Sequence, residues 1–257
     1  MTGAQRTHPT EVEGKYAMGK PRKKRLANLQ QGFTLVELLV AMAMAGIVIG
    51  AIYSTFKSQQ DSYVAQEQVA EMQQNLRAAL YMMARDIRMA GFNPADSPNV
   101  DGFVTGIPVE IDPPGTLTDD KNISFTIDRD EDGAVNADDH NEQIAYRIDN
   151  NRLEKYMYNA STTAWQWEII SENINALDFV YRDQNGDKIT ISPTTLQNIR
   201  SVDITIVART GRTDQGFTDT RAYFNQEDLV TPILAAQNDN FRRRLLTTNI
   251  ACRNMGI

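Results

Sequence analysis

The sequence predicts an α+β fold, in which one long N-terminal helix is laid on a mostly antiparallel β-sheet. Three observations lead there. An apolar run from Phe33 to Phe56 continues, without a proline, into an amphipathic pattern that stops at Gly91. Beyond Gly91 the apolar spacing changes from three-and-four to alternation in short, β-branched segments. The 257 residues hold a single Cys, so no intrachain disulfide supports the fold and packing of these elements must do so.

The first element is the apolar run, FTLVELLVAMAMAGIVIGAIYSTF, whose single charge is Glu37. About 20 apolar residues cross a hydrocarbon core of about 30 Å, so the run is long enough to span a membrane. Lys20, Arg22, Lys23, Lys24 and Arg25 precede it. Positive residues stay cytoplasmic, which predicts an N-terminus inside and the bulk of the chain exported. The run is longer than the apolar stretch of a secretory signal, and no A-x-A cleavage site follows it. A plain anchor has no use for a carboxylate in the bilayer, which costs about 3 kcal/mol on insertion scales, so Glu37 reads as functional.

The helix continues through Val64, Val69, Met72, Leu76, Leu80, Met83 and Ile87, one apolar stripe. Asp61, Gln66, Glu67, Glu71, Gln74, Arg77, Arg85 and Asp86 lie between and are expected on the polar side. Gly91 and Pro94 form the stop signal. Gly46 and Gly50 form a GxxxG, which either permits close helix approach or reflects the abundance of Gly in membrane helices.

Expected strands are 123–127, 143–148, 153–158, 165–170, 177–182, 188–192, 201–208 and, at the C-terminus, 245–252. Asp149-Asn150-Asn151 and the segment from Asp183 to Asp187 carry turn chemistry between them. Trp165 and Trp167 share a strand face, expected under the long helix, with an adhesive or partner patch as the alternative. Arg242-Arg243-Arg244 is expected in a solvated segment, and Cys252 as a buried thiol, with pairing to another chain as the alternative.

The residues around the start of the run add more. Gln30-Gln31-Gly32 precedes Phe33-Thr34-Leu35-Val36-Glu37, which closely resembles the type IV prepilin signature GFTLVELLV. The resemblance implies a type IV pilin-like fold and cleavage by a prepilin peptidase between Gly32 and Phe33. It also implies methylation of the new amino group on Phe33. Glu37 would then be the fifth mature residue, facing the Phe33 ammonium of a neighbouring subunit. Each charge is costly alone in lipid and offset when paired, so the pair can set the stagger between helices. The division that follows is a cleaved basic leader over 1–32, a membrane and filament-core helix over 33–56, its amphipathic continuation over 57–91, and a β-rich globular domain over 92–257. Met18 opens a compact basic leader of its own, leaving Met1 and Met18 as alternative starts.

Further along, RDIRMAGF, ISFTID, LDFVYRDQNGDKIT, IRSVDITIVART and RRRLLTTNIACRNMGI are similar to PilW-type minor pilins and to their relatives, the GspJ-type minor pseudopilins of type II secretion. That resemblance implies a low-copy subunit that helps start filament assembly, with other pilins, the peptidase and the inner membrane as partners.

Residues 128–139 read DRDEDGAVNADD. Asp128, Asp130 and Asp132 fall at positions 1, 3 and 5 of a twelve-residue calcium loop, with Ala134 at 7, Asn136 at 9 and Asp139 at 12. The loop is therefore expected to bind calcium, with Glu142 as a substitute ligand for the short Asp139; a solvated acidic turn is the alternative. His140 beside it is a bystander, because calcium prefers oxygen. This leaves a calcium-dependent, membrane-anchored binding or adhesion module as a further reading.

Composition excludes other classes. Residues 1–32 hold seven Lys/Arg against two Asp/Glu, and the remainder holds 19 against 31. So acidic a remainder does not suit a nucleic-acid groove. Two His and one Cys do not make a zinc cage, and with only His8 and His140 the chain has little support for Ser-His-Asp catalysis. It reads as no enzyme.

Overall fold

The computed structural model describes residues 32–98, 100–104, 119–135, 142–159 and 164–256. The elements in chain order are α1 (Leu35–Ile87), β1 (Ile123–Thr126), β2 (Gln143–Asp149), β3 (Arg152–Asn159), β4 (Ala164–Glu172), β5 (Ile174–Arg182), a 3-10 turn (Leu196–Asn198), β6 (Ser201–Arg209) and β7 (Arg243–Ala251). Every strand pairing is antiparallel, so the fold is the expected α+β. The chain divides into two units, up to Thr55 and from Phe56 onward.

In the first unit the described residues, 32–55, carry the start of α1, and every one of them is exposed. Leu35, Val36, Leu38, Met42, Ile47 and Ile52 meet no protein core. An apolar surface of this kind belongs in lipid or against other apolar helices. α1 is the one described helix long and apolar enough to cross a membrane.

In the second unit, α1 turns amphipathic as the spacing predicts. Met72, Leu76, Ala79, Leu80, Met83 and Ile87 are buried. α1 ends at Ile87 and tightens into i→i+3 bonds, Met89 N–H to Asp86 and Ala90 N–H to Ile87. The chain then reverses at Gly91, with φ +73°. A Cβ there would sit 2.7 Å from the Met255 sulfur, so both conformation and space call for glycine.

The strands form two sheets, β1-β2-β3-β4 and β5-β6-β7. The transfer between them takes one residue, Asn173, in the left-handed region (φ +61°), which Asn tolerates. Asn150 and Asn151, both at positive φ, make the tight β2–β3 turn. Leu76, Met83 and Ile87 pack in one core with Ile144, Tyr146 and Leu153 of the first sheet and Phe179, Tyr181 and Ile204 of the second. Cys252 joins that core just after β7, its N–H donating to the Arg200 carbonyl.

Four expectations are corrected. The segment 188–192 is no strand. It makes one bridge, Lys188 with Arg182, and then turns away. Thr195 Oγ1 accepts the Ser192 N–H and donates to the Thr190 carbonyl, so local side-chain bonds replace a ladder. Trp165 and Trp167 do not lie under α1. They cluster with Tyr156 and Ala145 on the opposite face, because Lys155 must face α1 and alternation turns Tyr156 away. Asp86 is not on the solvated side of the helix but buried. Nor is Arg243 solvated: it makes two bonds to Asp239, each 2.6 Å, and lies 3.5 Å from Asp219. The leader over 1–31 lies outside the described residues.

Candidate functional site

The head of α1 is built from Thr34 and Glu37. The first turn of any helix leaves backbone N–H groups without intrahelical partners. Thr34 N–H and Oγ1–H both donate to Glu37 Oε2 at 2.9 Å, and Glu37 N–H donates to Thr34 Oγ1 at 3.2 Å. This is a reciprocal capping box, with Thr34 at the cap and Glu37 three residues on. Glu37, expected to face a neighbouring chain, also closes its own helix end. The S/T-x-x-E spacing was present in the sequence as the signal for that second role. Gly32 and Phe33 lie just ahead of it, both exposed. Gly46 and Gly50 have nothing within 4 Å of a built Cβ, so this stretch of the helix is open to close approach.

The acidic loop follows β1. Asp128 is fully buried, its N–H donating to the Phe92 carbonyl at 2.8 Å. Its Oδ2 accepts the Gly133 N–H at 3.0 Å. Glu142, also buried, sits at the head of β2, and its Oε1 accepts the N–H groups of Arg129 and Asp130. Carboxylate oxygens of Asp128, Asp130 and Glu142 lie within 4.8 Å of one another. These three form a group able to chelate a divalent cation.

Two of the residues expected in the calcium loop, Asp128 and Asp130, are in this group. Asp132 is not in the group; its Oδ1 accepts the Ala134 N–H at 2.8 Å. Glu142, given only as a substitute, is in it. The antiparallel pairing of β1 with β2 returns the chain to the start of the loop and brings Glu142 there. Asn136, Asp139 and His140 lie outside the described residues.

A family model described as prepilin peptidase-dependent protein B matches residues 65–223. A model of the prokaryotic N-terminal methylation motif matches residues 27–53. No curated protein matches the chain. Among solved structures, a type IV-like pilin from Thermus thermophilus is similar at 12% identity and a TM-score of 0.44, over 72% of this chain and 97% of that one.

Proposed function

The chain belongs to the prepilin peptidase-dependent protein B family, and from that premise we propose that it is a minor pilin of a type IV pilus system. In this reading a prepilin peptidase cuts between Gly32 and Phe33, Phe33 is methylated, and the mature chain enters or primes the pilus tip. Residues 33–56 supply the membrane and filament-core helix, 57–91 its amphipathic continuation, and 92–257 the exported domain. The N-terminus starts in the cytoplasm and the chain sits in the inner membrane before assembly.

The observation that carries this reading is Glu37, the sole charge between Phe33 and Phe56, inside the matched methylation motif. Thr34 engages only its Oε2, which leaves Oε1 for a neighbour's ammonium. Charge-assisted contacts of that kind strengthen where water is excluded. The role is assembly rather than catalysis.

The test joins two measurements. Mass spectrometry of the mature protein is expected to show an N-terminal methyl-Phe33. Deletion is expected to remove sheared surface filaments and leave secretion intact. Loss of secretion with filaments intact would instead identify a GspJ-type pseudopilin. A mature chain that still carries its leader would overturn both.

A further inference from the structure

The group of Asp128, Asp130 and Glu142 differs from an ordinary acidic turn in one respect. Asp128 is fully buried, and its Oδ1 has no hydrogen-bond partner. Its other oxygen is held by Gly133, so Oδ1 is the atom left to offer to the group. No described Lys or Arg forms an ion pair with Asp128 or Asp130. A buried charge without a partner is among the most unfavourable arrangements in a protein. A cation among the three carboxylates removes that cost and completes the coordination of Oδ1.

We propose that these three carboxylates hold a calcium ion. The donors are all hard oxygens, which excludes the soft-ligand metals. They come from an irregular loop and a strand end. Calcium accepts six to eight oxygens in flexible geometry, with water in the remaining positions, whereas magnesium demands a near-ideal octahedron. The ligand set is split. Asp128 and Asp130 precede the turn at Gly133, and Glu142 arrives from β2.

The ion's place in the fold gives it a structural task. Asp128 N–H bonds Phe92, Gly91 N–H bonds Thr126, and Thr126 N–H bonds Gly102. The segment leaving α1 is thus stitched to β1 and the loop behind it. A built Cβ on Gly133 lies 3.3 Å from the Ala95 side chain, in that same segment. An ion clamping Asp128 to Glu142 therefore fastens the exit of α1 to the first sheet.

The experiment uses the purified full chain in detergent, melted in EDTA and in 10 mM calcium chloride. Calcium is expected to raise the melting temperature by about 3–10 °C, as weak extracellular-grade binding implies. Magnesium at the same concentration should raise it less. Asp128→Asn and Glu142→Gln should each abolish the calcium shift, whereas Asp132→Asn should keep it. A wild-type shift below 1 °C, or an equal shift with magnesium, overturns the calcium site. Loss of the shift in Asp132→Asn with retention in Glu142→Gln overturns the ligand set and restores the twelve-residue loop. Melting each variant in EDTA separates loss of the ion from loss of the fold, and the wild-type shift decides the matter even if one variant does not fold.

Discussion

Two carboxylates on α1 illustrate opposite uses of a charge in an apolar setting. Asp86, buried near the end of the helix, accepts hydrogen bonds of 2.6 Å from both Lys155 Nζ and Tyr146 OH. Burial pushes its carboxyl up, but the bonds from Lys155 and Tyr146 and the Lys155 charge outweigh this and hold it below the usual 3.8. An acid depressed in the folded state contributes stability that is present above its unfolded value. That stability is lost as pH falls through the folded value. Chemical denaturation at pH 7 and pH 3 is therefore expected to show a smaller acid-induced loss for Asp86→Asn than for wild type. Asp86→Ala strands the Lys155 ammonium and should cost about 3–5 kcal/mol. Asp86→Leu with Lys155→Met should recover most of that in the same urea titration. Glu37 predicts an assembly phenotype instead. Glu37→Val should still be cleaved at Phe33, as mass spectrometry would show, but be absent from sheared filaments. Its normal recovery in filaments would count against the pairing role. Glu37 was legible in the sequence because it stands alone among apolar residues. Asp86 was not, since it sits beside Arg85 in a polar-looking turn and its ammonium partner lies 69 residues away.

At the scale of elements, α1 and seven strands were legible from period alone. Strand ends moved by at most three residues, the largest shift being β5, which starts at Ile174 rather than 177. Periodicity could not show that 188–192 fails to pair, because that outcome depends on Ser192 and Thr195 bonding locally. Nor could it show which face of β4 meets the helix. That is set by Lys155 reaching Asp86, after which Trp165 stacks on Tyr156 and Trp167 packs tilted against it, under the Arg147 guanidinium 3.9 Å from its ring. The stop after α1 was legible as Gly91, and it carries a prediction. Gly91→Ala places a Cβ at φ +73° against Met255 and should cost about 1–2 kcal/mol in thermal melts. Shortening the obstacle with Met255→Ala should relieve the steric part and leave the conformational part.

For the whole molecule, the sequence distinguished an apolar helix start from a domain with its own core. The structure places every buried residue of α1 at Met72 or beyond. The polypeptide from Phe56 to Ile257 is therefore expected to fold without detergent and to melt in one cooperative transition by circular dichroism. Noncooperative melting would show that residues before Phe56 contribute to the core. What the sequence did not reveal is the division of the strands into two sheets. That division rests on Asn173 adopting φ +61° between β4 and β5, a conformation of one residue that no pattern announces. In the acidic loop, spacing found Asp128 and Asp130 and offered Glu142 only as a substitute, because the strand pairing that returns Glu142 to the loop is not written in loop spacing.

The lone Cys252 has a further consequence. Buried in the core, with burial pushing its thiol up to about 12, it is a poor nucleophile while the native packing holds. A thiol reagent can therefore react only during the intervals in which the end of β7 comes away. With no second cysteine to confuse the signal, the labelling rate becomes a stopwatch for that opening. Read across a denaturant series, it times how often the C-terminal strand lets go without any probe having to be engineered into the chain.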